Sequence, residues 1–355
     1  MSKIKIAIAL VILAGIALMG IQDQLVNKIM TQRISERLNN VPMEQFTDTL
    51  SVVICGAGSP IPDPQRSGSC ALVIAGDQVV MVDAGSGVSQ VGAMGIPVGR
   101  VDNVFLTHFH SDHINSLGEL MTQRWANSGK DFPLSVHGPQ GTNTIVAGFN
   151  MAYGADRSYR EAHHTTAVMP PRGGLATAHA FNLPPANGLV VLEKNGFTVT
   201  AFGVDHSPVD PAVGYKFEYK GHSVVFSGDT AKSPVVEAFA TGSDVLIHEA
   251  LSTPLVMMVA AVAEQESKPR IVKITHDILD YHTSPVQAAE VAQGAQVPYL
   301  LFSHIVPQLP IANLKKRFVE GVADAYSGEF SIAQDGTFVS INLTDGSITS
   351  GDLLN

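Results

Sequence analysis

Thr107-His108-Phe109-His110-Ser111-Asp112-His113 follows directly on the apolar run Val104-Phe105-Leu106. Side chains two apart on an extended chain point to the same side, so His108 and His110 can face one point. Asp112 and His113 come where the chain turns into a helix. Neutral imidazole and carboxylate suit zinc, and one ion needs three or four such groups. Four of them packed into H-x-H-x-D-H can serve two ions if other segments complete the shells. A surface turn that is merely rich in histidine is the competing reading. It does not account for the apolar strand that delivers the motif or for the Thr that closes it.

Four more segments repeat the arrangement. Asp205-His206-Ser207-Pro208 follows the strand-like FTVTAFGV, and Ser227-Gly228-Asp229-Thr230 follows SVVF. Ile247-His248-Glu249-Ala250 closes DVLIH, and Ser303-His304 closes YLLF. Each places His or Asp at the end of an apolar strand, and strand ends gathered at one sheet edge form a rigid platform for ligands. Singly, such residues are more often turn or rim residues than ligands; beside the first motif the balance reverses.

The rest of the chain alternates strand and helix patterns. Gly- and Pro-punctuated strands run from Leu50 to Gly85, a helix-like segment follows to Met94, a longer helix is expected from about Asn115 to Ala126, and a Pro/Gly-rich insertion from Arg157 to Asn187. Helices are expected at 252–266 and 284–294. Strands followed by a helix, twice over, imply an α/β fold with two sheets covered by helices, a four-layer αββα sandwich. One hydrolase-sized domain spans 45–355.

Ahead of it, Lys3 and Lys5 precede a charge-free apolar run from Ile6 to Ile21. A short basic stretch before an apolar core is the pattern of a secretory signal. With no good small-x-small cleavage site, 1–21 reads as a signal or, preferably, an uncleaved membrane anchor. The run is short for a span, which needs ~20 residues. Residues 22–44 read as an amphipathic stalk or linker carrying Leu25, Ile29, Ile34 and Leu38. The expected location is the periplasmic side of the inner membrane, anchored or secreted.

Composition agrees with a folded protein: 45% hydrophobic and 15% charged residues among 355, which excludes a disordered chain. The net charge of -10 disfavours nucleic acid as a main partner, because phosphate contacts need clustered Lys and Arg. Cys55 and Cys70, the two cysteines, are too few for a thiolate cage. They could pair across neighbouring strands or sit as two small buried apolar groups. Among the other histidines, His137, His179 and His222 read as turn or rim residues, while His163, His164 and His276 are candidates to face a substrate.

Together these motifs resemble the metallo-β-lactamase superfamily over about residues 50 to 345. Within it they resemble the branch of ribonuclease Z and the ribonuclease Z-like arylsulfatases. His108-x-His110-x-Asp112-His113 carries the superfamily resemblance. Gly56-Ala57-Gly58-Ser59-Pro60, Asp83-Ala84-Gly85, His137-Gly138-Pro139, Ser227-Gly228-Asp229-Thr230, His248-Glu249-Ala250, His282-Thr283-Ser284 and Ser303-His304 carry the branch. The resemblance implies two zinc ions, with manganese or iron as other occupants. It puts His108, His110 and His206 on the first ion and Asp112, His113 and His304 on the second, with Asp229 bridging both. It implies that Glu249 and His282 act as an acid/base pair, that Asp112 helps to take a proton from a shared water, and that Asp83 steadies a ligand histidine. It also raises a homodimer. The alternative for His282 is a helix-start residue, since Thr283, Ser284 and Pro285 form a cap.

Ribonuclease Z carries a long tRNA-grasping arm between its counterparts of His206 and Asp229. Here Gly214 to Glu218 pass through a tight Lys220-Gly221 turn to Asp229. The expectation is therefore an exported or anchored dizinc hydrolase acting on a small phosphodiester or arylsulfate through a metal-bridging hydroxide, with no nucleic acid as partner. A tRNA 3′-processing nuclease is the alternative enzyme, and a non-catalytic metal-binding protein is the reading of a different class.

Overall fold

The computed structural model describes residues 3–39 and 41–354, and the chain divides into two units, Met1–Gln45 and Phe46–Asn355. The first unit carries α1 (Lys3–Leu38), a continuous helix through both the apolar run and the more polar stretch behind it. Its Leu25, Ile29, Ile34 and Leu38 are exposed. Among the described residues no helix is long and apolar enough to cross a membrane, so the expected membrane-spanning anchor is not found. The physical reason lies in the sequence: the apolar run is short and is bracketed by Lys3, Lys5 and Asp23, whereas a span needs ~20 apolar residues.

In the second unit the first half of the chain gives β1 (Thr49–Gly56), β2 (Cys70–Ala75), β3 (Gln78–Val82), β4 (Val101–Phe105), α2 (Ser111–Ile114), α3 (Leu117–Ser128), β5 (Leu134–Pro139), α4 (Thr142–Ala152), α5 (Gly154–His164) and β6 (Ala176–Phe181). The second half gives β7 (Leu189–Lys194), β8 (Phe197–Gly203), β9 (Val213–Tyr219), β10 (His222–Phe226), α6 (Pro234–Ala240), β11 (Val245–Leu251), α7 (Thr253–Gln265), α8 (Pro269–Asp277), α9 (Pro285–Gly294), β12 (Tyr299–Val306), α10 (Ala312–Phe318), α11 (Val322–Ala325), β13 (Glu329–Ile332), β14 (Thr337–Asn342) and β15 (Ile348–Asp352).

The strands form two mixed sheets, of order β15-β14-β1-β2-β3-β4-β5-β6 and β13-β12-β11-β10-β9-β8-β7. Leu50, Val52, Ile54, Val73 and Phe105 of one sheet pack against Phe197, Val199, Phe217, Val224, Ile247 and Leu301 of the other. On the outer face of the second sheet Leu246, Leu300 and Phe302 pack on Ala288, Ala289, Val291 and Ala292 of α9. On the first, α3 buries Leu117, Leu120, Met121 and Trp125. Both faces of each central strand are therefore covered. That is why β2, Val52–Cys55 of β1 and Val245–Ile247 of β11 read as continuous apolar runs and not as alternating ones. The αββα expectation holds.

Three local differences from the sequence reading have plain causes. The segment expected as helix up to Met94 is a short 3-10 turn, Ser86–Gln90, followed by turns; Gly92 and Gly95 interrupt any longer helix. The Pro/Gly-rich insertion contains most of α5 and the edge strand β6. Pro170, Pro171, Gly173 and Gly174 lie in the connection between them, and Pro184 and Pro185 follow β6. Residues 269–277, not expected as a separate helix, form α8, begun by Pro269 at a position where proline fits.

Candidate metal centre

The sheet edge at the C-terminal ends of β4, β8, β10, β11 and β12 collects the chemistry. β4 pairs in parallel with β3 and β5, and β11 in parallel with β10 and β12. Their carboxyl ends thus open on the same side, the usual ligand edge of parallel sheets. His108 and His110 lie in the loop after β4, and Asp112 and His113 in α2. His206 follows β8, Asp229 follows β10, and His304 lies within β12.

His304 reaches the cluster through a fault in the ladder. β11 and β12 stay in register to Glu249 opposite Ser303 and resume at Ala250 opposite Ile305, so His304 is the extra residue of a bulge. Bulges re-aim side chains beside functional sites. Its φ of 48° is left-handed, a conformation that costs a non-glycine residue of order 1–3 kcal/mol and that persists only where surroundings enforce it. Asp83, also left-handed at φ 56°, accepts hydrogen bonds from Thr107 N (2.8 Å), Thr107 Oγ1 (2.9 Å) and His113 Nδ1 (2.7 Å). It fixes the start of the motif and turns His113 Nε2 inward. Gly85 allows this closeness: a Cβ there would lie 1.9 Å from the Asp112 carbonyl oxygen.

Asp229 stands at the centre. Its Oδ2 lies 3.8 Å from His108 Nε2, 3.4 Å from His113 Nε2, 3.9 Å from His206 Nε2 and 3.2 Å from His304 Nε2. Asp112 Oδ2 lies 3.3 Å from His304 Nε2 and 3.5 Å from His113 Nε2, and His108 Nε2 lies 3.0 Å from His110 Nδ1. Two donors on one tetrahedral zinc, each at 2.0–2.1 Å, sit about 3.3 Å apart. His108, His110, His206 and Asp229 each offer an atom within 4.8 Å of the others, and Asp112, His113 and His304 make a second such group. Nε2 of His113 and of His206 are buried with no hydrogen-bond partner among the described residues. A buried orphan nitrogen is costly, and a cation in the cluster would remove that cost. The donor set therefore fits two metal ions.

The charge states are consistent with this. Burial lowers the His108 basicity strongly and that of His110 and His206 less, which keeps these rings neutral. Burial also disfavours charge on His113 and His304, but Asp229 and the carboxylates around them outweigh it. His113 is held well above its ordinary value and His304 is raised to about 9. Burial pushes the Asp229 carboxyl up, yet the His304 and His113 charges hold it well below the usual carboxylate range. Asp112 is lowered as well, its burial outweighed by the hydrogen bond to His304.

Glu249 and His282 complete the site. β11 alternates, so Glu249 shares the intersheet side with Ile247, while His248 turns to the opposite face and donates its Nδ1 hydrogen to the Glu249 carbonyl. His248 is thus outside the cluster. Glu249 Oε1 accepts from Thr230 N and Thr283 N, each at 3.1 Å, and from His282 Nδ1 at 2.9 Å. The His282 ring centroid lies 5.2 Å from that of His206 and 5.6 Å from that of His304. Burial opposes charge on His282, but Glu249 raises its basicity overall. The residues after it do cap a helix: Ser284 forms a capping box with Gln287 at the start of α9. The cap orders the backbone that presents His282.

Two contributors were not anticipated. Tyr281 carbonyl accepts from His206 Nδ1 at 3.0 Å and so aims Nε2 at Asp229; a backbone oxygen leaves no trace in sequence. Arg66, buried in the Pro-rich loop after β1, lines a cleft of about 500 Å³ with Asp112, Ser111 and Asn115, and its Nη2 has no partner among the described residues. Of the remaining histidines, His137 stacks on Phe105 and His179, and His222 pairs with Asp244 at 3.1 Å. His137, buried, and His179 thus sit within β5 and β6 and are not the turn or rim residues expected, while His222 opens β10 beside the Lys220-Gly221 turn. Cys55 and Cys70, left open above, form a disulfide with Cα atoms 5.0 Å apart.

Comparison with known proteins agrees with the site. Residues 63–255 match the model of the metallo-beta-lactamase superfamily. A ribonuclease Z of Mycobacterium bovis BCG is 34% identical over 289 residues, covering 81% of this chain and 96% of the relative. Two solved structures share the fold. The metallo-beta-lactamase fold protein YhfI from Bacillus subtilis has a TM-score of 0.58 at 21% identity, covering 86% of this chain and 100% of that one. The short form of human tRNase Z has a TM-score of 0.55 at 20% identity, covering 82% and 99%. The chain belongs to the metallo-beta-lactamase superfamily, in its ribonuclease Z-like branch, and has the buried His/Asp cluster of a binuclear metal-dependent hydrolase.

Proposed function

We propose that this chain hydrolyses phosphodiesters as a dinuclear metal enzyme of the ribonuclease Z type, with RNA as its substrate. His108, His110 and His206 would hold one ion, Asp112, His113 and His304 the other, and Asp229 both. Zinc at such a site supplies a nucleophile at neutral pH and takes up charge developing on the phosphoryl oxygens. The observation that carries the reading is the Glu249–His282 pair at 2.9 Å beside that cluster. Glu249, pinned by two backbone N–H groups, orients Nδ1 and favours the charged form of His282, so that the other ring nitrogen can give a proton to a leaving oxygen. A phosphodiester whose leaving group is a ribose alkoxide needs that proton; help of this kind is worth about 10²–10⁴-fold. Asp112 is placed to accept a proton from the attacking water. The relationship to ribonuclease Z over most of both chains supports RNA over other esters.

A second reading, an exported enzyme for a small phosphodiester or arylsulfate, has observations of its own. β9 and β10 are joined by the tight turn at Lys220 and Gly221, which has no arm for tRNA. A disulfide suits an oxidising compartment, in keeping with the basic and apolar N-terminus. The zinc-loaded full chain should be assayed with a tRNA precursor carrying a 3′ trailer, with bis-nitrophenyl phosphate and with nitrophenyl sulfate. Chelator-sensitive cleavage at the trailer is expected. Turnover of the small esters alone would replace the RNA reading by the second, and turnover of none would remove both.

A further inference from the structure

We propose that the metal-site cleft continues into a binding groove for the single alkyl chain of an anionic amphiphile. The proposal goes beyond the RNA reading and rests on the phosphodiesterase reading only for where the head group lies. A groove of about 820 Å³ runs between α7, α8 and the loop after β12, within the size of small-molecule sites. α7 and α8 expose Met258, Val259, Val262 and Ile271 along it, each between 42% and 59% accessible. Four large apolar side chains in one open groove are more than the scattered exposure a soluble surface usually shows.

Two observations name the occupant. First, the groove joins the catalytic side of the molecule. Pro62 and Pro64 line both it and the polar cleft of Asp112 and Arg66, and Gln308, also in the groove, ties the Pro62 carbonyl at 3.0 Å. α7 starts just past Glu249 and α8 ends just before Tyr281 and His282, so the groove hangs from the strands that bear the site. Second, cations outnumber carboxylates at its edge although the chain is acidic. Lys268 and Glu266 line it, and Arg317 Nη1 lies 3.7 Å from Met258 Sδ. An apolar trough with cationic edges, leading to a metal centre, matches an anionic head carrying one alkyl chain.

The test is calorimetric binding of n-alkyl phosphonates, butyl to dodecyl and below micelle formation, to the metal-loaded full chain. Hydrolysis of methyl nitrophenyl phosphate is followed in parallel. Affinity is expected to rise about two- to fourfold per added methylene. Val262→Asp and Met258→Glu should flatten that dependence and leave methyl ester turnover unchanged. Affinity independent of chain length in the unaltered protein overturns the groove. So does a chain-length dependence that survives both variants. If light scattering shows a dimer that Val262→Asp dissociates while dodecyl affinity is unaffected, the face belongs to a second copy and the proposal falls. Loss of methyl ester turnover in the unaltered protein would instead count against the phosphodiesterase reading, since alkyl binding is read separately.

Discussion

Asp83 and His282 act on the site by different means, and their variants should separate. Asp83 fixes Thr107 and His113. Its replacement by Ala should lower zinc affinity about 10–100-fold, as for other residues that orient a ligand histidine, measured by competition with a chromophoric chelator. His282→Asn should leave zinc content intact. It should cut kcat about 10²–10⁴-fold for substrates with alkoxide leaving groups and much less for nitrophenyl esters, whose leaving group needs no proton. Proton linkage is a third test. In the metal-free protein the His304 ring is raised from 6.5 to about 9. That charge contributes stability in full below about 6.5 and loses it as pH climbs through about 9. Zinc requires the neutral ring, so its affinity runs the other way, rising from pH 6.5 to 9, with a proton released on binding at pH 7. Titration calorimetry in buffers of different ionisation enthalpy reads that proton directly. At this scale the sequence was informative, because H-x-H-x-D-H concentrates its donors within one turn of chain. It was silent on Arg66, one basic residue among 22, and on the Tyr281 carbonyl. In the segment Ile247 to Ala250 the residues alone left His248 and Glu249 both open and the family resemblance pointed to Glu249; the period-2 rule, with Ile247 in the core, selects Glu249 as well.

Elements explain how distant ligands meet. The bulge at His304 and the left-handed turn at Asp83 are not visible in the local pattern, since neither position carries glycine. Both depend on contacts from elsewhere: Ala57 carbonyl accepts from Ile305 N at 2.9 Å just past the bulge. The disulfide joins the end of β1 to the start of β2 and closes the loop that carries Arg66. Replacing Cys55 and Cys70 by Ser should cost about 2–4 kcal/mol in denaturant unfolding, with zinc stoichiometry retained. The helix α8 escaped the sequence reading. Its pattern is short, nine residues begun by Pro269, although Ile271 and Ile274 are at helical spacing, and these two side chains are about half exposed.

For the whole molecule, strand runs covered on both faces made the two-sheet sandwich legible, because strands buried on both faces, parallel or antiparallel, leave long apolar stretches bounded by Gly and Asp. The C-terminal strands β13 to β15 were not anticipated. They are short: β13 pairs with β12, β14 pairs with β1 and buries Val339 and Ile341 in the intersheet core, and β15 pairs with β14. The N-terminal run has the composition of a signal or anchor, and among the described residues no helix is long and apolar enough to cross a membrane. What the fold does at this scale is to bring six donors, spread from His108 to His304, around Asp229. Metal content of the full chain, measured by mass spectrometry beside its Asp229→Ala variant, tests that convergence most directly. Two equivalents per chain are expected, falling to one or none in the variant; a chain that binds no metal, or a variant that still holds two, would contradict it.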